Sequence, residues 1–120
     1  MNYFSDREQR CNCGKCDKLL DAEFLAKLNT LRELYGKPIR LSSAYRCPQY
    51  NSIVSRTGYK GPHTTGKAVD IVCAGSDAVR ILELAIGLDF AGFGICQTGL
   101  WDKRFIHIDD ARSNPTIWSY

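Results

Sequence analysis

The chain carries two histidines, and each stands close to an aspartate: His63 ahead of Asp70 in Gly-Pro-His-Thr-Thr-Gly-Lys-Ala-Val-Asp, and His107 ahead of Asp109 in Phe-Ile-His-Ile-Asp-Asp. Neutral imidazole and carboxylate are good donors for zinc, and a catalytic zinc takes three protein ligands while keeping a fourth position for water. Either motif alone reads as a satisfied core histidine beside a turn aspartate. Two in matching contexts point to one shared ion and to hydrolysis by metal-activated water. His63 and Asp70 are too far apart for one helix face, but the spacing suits a ligand on a loop and another on the strand that the loop enters. Asp70 lies in the apolar run Ala68-Val69-Asp70-Ile71-Val72, where an unpaired charge would cost several kcal/mol, so it needs a partner. In the later run the two-residue period puts His107 and Asp109 on one face, opposite Ile106 and Ile108, so that Asp109 is expected to face the same cavity as the metal.

Six cysteines form the second group. Cys11, Cys13 and Cys16 are bunched around Gly14, and Cys47 follows Arg46. Together these four could make a structural zinc site, form one or two disulfides in an oxidising space, or stay reduced. Cys73 and Cys96 sit in apolar runs and read as small core residues.

The elements that must position these side chains follow from periodicity. Phe24, Leu25, Leu28, Leu31 and Leu34 recur at helical steps after Asp21, a suitable N-cap, and before the stop Gly36-Lys37-Pro38. Ile39 to Ser43 reads as a short strand, and Cys47 to Val54 as a short helix with proline in its first turn. Residues 55–67, with four glycine or proline breakers, are loop. The strand Ala68–Cys73 follows, then a second amphipathic helix capped by Ser76 and ended by Gly87. Gly92–Cys96 and Arg104–Asp109 are two further strands joined by a turn around Thr98-Gly99, expected to be antiparallel. The pattern predicts an α+β fold, a small antiparallel sheet with flanking helices. Residues 1–16, polar and cysteine-rich, are expected to be irregular and tied down by cross-links or metal rather than by core packing.

At 120 residues, with no repeat or linker, the whole chain 1–120 reads as a single domain. An apolar content of 44% and a charged content of 24% are those of an ordinary globular protein. No run is long enough to span a bilayer, so no membrane insertion is expected. The N-terminal residues hold no apolar signal segment. A net charge of +3, spread without basic runs or basic-aromatic interleaving, argues against nucleic-acid binding and suits an anionic polymer such as cell wall.

Three segments in this order, Ser42-Ser43-Ala44-Tyr45-Arg46-Cys47-Pro48, His63-Thr64-Thr65-Gly66-Lys67-Ala68-Val69-Asp70 and Phe105-Ile106-His107-Ile108-Asp109, resemble the zinc peptidase family of D-Ala-D-Ala carboxypeptidases, whose fold is shared with hedgehog signalling domains. The likeness is to short single-domain members of phages and bacteria and covers nearly the whole chain from Cys11, including a tail like that from Arg112 to Trp118. It implies that His63, Asp70 and His107 bind a catalytic Zn2+ and that Arg46 contacts substrate. It also implies a peptidoglycan stem peptide as substrate, cut either at a terminal D-Ala (carboxypeptidase) or at an internal L-Ala-D-Glu bond (endopeptidase), by a monomer. The competing implication is a zinc-stabilised hedgehog-like binding module, or a phage structural component, without peptidase activity. The absence of a signal segment leaves localisation open: it fits a phage lysin held in the cytoplasm until release, an enzyme carried on a virion, or a fragment of a longer precursor.

The likeness departs at the general base. Many members place an acid three residues before the last zinc histidine, or a histidine two before it, and here those positions are Arg104 and Phe105. Asp109 is the candidate catalytic carboxylate, with Asp102 on the preceding turn second. Asp109 could instead orient a metal-bound imidazole from behind.

Overall fold

A computed structural model describes residues 1–120. After a short helix α1 (Asp6–Gln9), Asp21 accepts a hydrogen bond from the backbone of Phe24 and starts α2 (Ala22–Tyr35), which Gly36 closes in the left-handed conformation at φ 77°. Strand β1 (Arg40–Ser43) leads to α3 (Pro48–Val54), where the Cys47 sulfur is the cap and Pro48 fills the first turn. A 3-10 turn (Pro62–Thr65) carries His63 into β2 (Ala68–Val72). Helix α4 (Gly75–Gly87), β3 (Gly92–Cys96), β4 (Phe105–Asp109) and β5 (Thr116–Ser119) complete the chain.

The strands form one five-stranded sheet in the order β1-β2-β4-β3-β5. Each neighbouring pair among the first four is antiparallel, and β5 lies parallel to β3 at the edge. One face of the sheet presents Val69, Ile71, Phe93, Ile106 and Ile108 to Phe24, Leu28 and Leu31 of α2 and to Ala78, Ile81 and Ala85 of α4. This is the hydrophobic core, and burying it holds the sheet rigid. The other face carries the polar residues of the same strands. Period-two alternation thus separates a structural face from a chemical one.

Several expectations are modified. The apolar stripes are broader than the faces they bury, since Leu34, Val79 and Ile86 are exposed. Ser76 does not cap α4; the cap position is Ala74, which makes no side-chain bond, and Ser76 lies inside the first turn. Residues 1–16 are not held by cysteine chemistry alone. Phe4 and Cys11 belong to the core, and buried Gln9 ties α1 to the rest through Gln9 Nε2 to Phe4 O, Leu20 N to Gln9 Oε1, and Tyr45 N to Gln9 O. The fifth strand was not expected. Its residues Thr116-Ile117-Trp118-Ser119 are too few to show a period, and only pairing with β3 makes them a strand.

Candidate metal centre

One rung of the sheet builds the centre. Ser43 pairs with Asp70, Asp70 with His107, His107 with Gly94, and Gly94 with Trp118, so a single row crosses all five strands. Directly opposed residues have their Cβ atoms about 5 Å apart, close enough for Asp70 and His107 to share an ion. A bulge between Leu41 and Ser43 brings Ser43 into this row. His63 reaches it from the 3-10 turn, held there by a backbone bond from Arg46 N to His63 O at 3.1 Å.

His63, Asp70 and His107 are all buried, and their donor atoms lie within 4.8 Å of one another. His63 Nε2 is 3.3 Å and His107 Nδ1 3.0 Å from Asp70 Oδ1. Zinc bound tetrahedrally at about 2.0–2.1 Å to nitrogen and oxygen separates its donors by about 3.3 Å, so the three groups fit it. The second nitrogen of each ring is already engaged. His63 Nδ1 is 2.8 Å from Ala44 O, which can only accept, and His107 Nε2 is 2.6 Å from Asp109 Oδ2. With a metal bound, each imidazole would donate its one proton away from the centre and turn its lone pair inward, in the arrangement that orients metal-binding histidines.

The metal-free charges are tightly coupled. Burial opposes ionisation of Asp70, but hydrogen bonds from His107 and His63 and their charge hold its carboxyl well below the usual range. Burial likewise opposes a charged His107, yet bonds to Asp109 and Asp70 raise it above an ordinary imidazole. Asp109 is lowered, against burial, by bonds from His107 and Arg112.

The centre lies at the floor of a cleft of about 750 Å³, lined among others by Arg46, Arg56, Arg112, Trp118 and Tyr120. Arg46 reaches it from the turn after β1. Its guanidinium donates to Ser43 Oγ (3.0 Å), Asn51 Oδ1 (3.1 Å) and Asp70 Oδ2 (3.3 Å). Three acceptors from three elements fix the plane of the fork, which a lysine could not reproduce.

Asp109 and Asp102 do not line the cleft; Asp70 is the single carboxylate among its lining residues. Strand parity put Asp109 on the expected side, but it is 0% exposed and sits behind His107 rather than facing the cavity. Its oxygens also accept from Ala111 N (3.1 Å) and from Arg112 Nε and Nη2 (3.1 to 3.3 Å). Asp102 is exposed on the 3-10 turn Trp101–Lys103.

Sequence reasoning missed the groups that support this arrangement. Arg112 stacks on Trp118 at 4.3 Å while bonding Asp109, and Trp118 packs against His107 with ring centroids 5.1 Å apart. Gly92 and Gly94 make room for them. A Cβ on Gly92 would collide with the Asp109 carboxylate, and one on Gly94 would lie 2.8 Å from the Trp118 indole nitrogen. Buried Asn51 holds Arg46 on one side and bonds Thr57 Oγ1 and Gly58 O on the other. The alternation Gly92-Phe93-Gly94 was the available signal: two glycines on one strand face mark a close approach.

In comparison with known proteins, the family model described as Peptidase M15 matches the chain over residues 2–109. No curated protein matches the chain.

Proposed function

The chain belongs to the peptidase M15 family, and from that premise we propose that it is a zinc-dependent peptidase of peptidoglycan stem peptides, with His63, Asp70 and His107 as the zinc ligands. The observation that carries this reading is the convergence of three buried donors at zinc spacing on the floor of a cationic cleft, each histidine turned by its own acceptor. Zinc, when bound, would polarise the scissile carbonyl and make a water acidic enough to attack near neutral pH.

The chain's own residues would do the rest. Asp109 holds the His107 ring from behind by accepting the Nε2–H hydrogen bond, so its role is positioning; reaching a water in the cleft would require breaking its bonds to Ala111, Arg112 and His107. Arg46, kept in plane by Ser43 and Asn51, can receive a peptide carboxylate or the oxyanion that develops on the carbonyl. Arg56 and Arg112 add positive charge to a cleft with one acid, which suits the carboxylates of a stem peptide and fits both a terminal D-Ala substrate and an internal L-Ala-D-Glu bond. Trp118 and Tyr120 offer an apolar wall for small alkyl side chains.

The absence of a second carboxylate from the cleft favours one alternative, a metal-stabilised binding module. Incubation of the zinc-loaded protein with defined stem peptides separates the two. Release of new amine, with products located by mass and lost in His63→Ala, is the expected result. Zinc binding without amine release, beside an active control peptidase, would overturn the peptidase reading and leave the module.

A further inference from the structure

The four clustered cysteines lie outside the cleft. Cys11, Cys13 and Cys16 come from the segment after α1, and Cys47 caps α3. Their sulfurs converge: Cys11 to Cys47 is 3.7 Å, Cys13 to Cys16 is 3.4 Å, Cys13 to Cys47 is 3.9 Å, and all four lie within 4.8 Å of one another. Four thiolates around one zinc at about 2.3 Å stand about 3.8 Å apart in a tetrahedron. A disulfide instead draws two sulfurs to about 2.05 Å and leaves the other pair unrelated to it. The three shortest sulfur separations, 3.4 to 3.9 Å, lie around the tetrahedral value and far above a disulfide's.

The backbone is arranged for thiolates. Lys15 N donates to Cys13 Sγ (3.3 Å), Cys47 N to Cys11 Sγ (3.3 Å) and Tyr50 N to Cys47 Sγ (3.4 Å). Such N–H to sulfur bonds spread the negative charge that four thiolates leave on a divalent ion. Gly14 at φ 73° permits the reversal that returns Cys16 toward Cys13. Arg7, Arg10 and Lys15 line the adjoining concavity and add compensating positive charge. Cys11 is 4% exposed and the other three are half-buried.

We propose that Cys11, Cys13, Cys16 and Cys47 bind a second, structural Zn2+ that fastens the N-terminal segment to the first turn of α3. The consequence reaches the cleft, because Cys47 follows Arg46 directly and Cys47 N bonds Cys11 Sγ. The ion would anchor the backbone from which Arg46 extends. Four cysteine ligands close the shell, leaving no position for water, so this site holds structure and does no hydrolysis.

The test counts metal and identifies its donors in the wild-type protein purified without chelator. About two zinc ions per chain are expected, one released by a thiol-specific mercurial and the other by loss of the histidine site. In His63→Ala the mercurial-releasable zinc should remain, and cobalt substituted into that variant should show the intense thiolate-to-cobalt charge-transfer absorption. In Cys16→Ser that absorption should fall sharply; if this variant does not fold, the wild-type and His63→Ala measurements still decide. A chain mass lowered by disulfide formation, iron in place of zinc, or no metal released by the mercurial would each overturn the proposal. Loss of only the histidine-dependent zinc would count against the peptidase reading instead, so the two readings fail separately.

Discussion

Replacing Asp109 by asparagine changes one atom and tests whether the carboxylate positions His107 or handles protons in turnover. Every partner of Asp109 is a donor: His107 Nε2 at 2.6 Å, Ala111 N at 3.1 Å and the Arg112 guanidinium. An amide must turn its NH2 toward one of these groups. If it faces His107, the ring is driven to the tautomer that accepts at Nε2 and carries its proton at Nδ1, the atom needed by the metal. If it takes the place of Oδ1, Ala111 N loses its acceptor, while Arg112 keeps its bonds to Oδ2 through Nε and Nη2. Loss of such an orienting carboxylate costs about 10- to 100-fold in metal affinity, or about 1.4 to 2.7 kcal/mol. Zinc competition against a chromophoric chelator measures the affinity, and kinetics at saturating zinc separate it from turnover. The expected pattern is weakened zinc binding with much of the turnover restored by excess zinc, at near wild-type thermal stability. Unchanged zinc affinity with turnover down by about 10³-fold would refute the positioning argument and make Asp109 the general base.

Three further outcomes follow from the same geometry. Arg46→Lys cannot serve Ser43, Asn51 and Asp70 together, so kcat/KM should drop about 10²-fold, as for loss of an oxyanion donor, while zinc content stays at the wild-type value; a change under threefold would mean that Arg46 does not touch the reacting groups. Gly92→Ala sets a methyl group against the Asp109 carboxylate and should lower stability by about 1–3 kcal/mol and weaken zinc binding together, read by denaturant unfolding and chelator competition. The metal-free protein should be most stable between about pH 4 and 6.5. His107 is raised above 6.5, so its contribution is complete below that value and fades as pH rises through its folded value; Asp70 and Asp109 are lowered below 3.8, so theirs is complete above that value and fades as pH falls. Zinc must displace the His107 proton, so loading should shift the optimum upward, and melting curves with and without zinc across this range would show it.

Much of the centre was legible along the chain. An apolar run around Asp70 demanded a partner, alternation put His107 and Asp109 on one face, and two histidines near aspartates pointed to a shared metal, because residue type and period are local properties. The helix from Asp21 to Gly36 was readable for the same reason: cap, stripe and stop lie within one segment. Alternation names a face but not a depth, so Asp109 was expected at the cavity and lies behind His107, covered by Arg112 and Trp118. Arg112 stands in the loop after β4 and Trp118 on β5, whose four residues become a strand only against β3. The rung from Ser43 to Trp118 likewise depends on register among five strands, which pairing partners far apart in sequence set jointly. The cysteines show the division most simply. Their number and the turn at Gly14 were written in the chain, but zinc site, disulfides and free thiols all stayed open, with the zinc site placed first. Only the fold, by bringing Cys47 onto the N-terminal loop, set the convergence of four sulfurs on which the proposal of a second zinc rests.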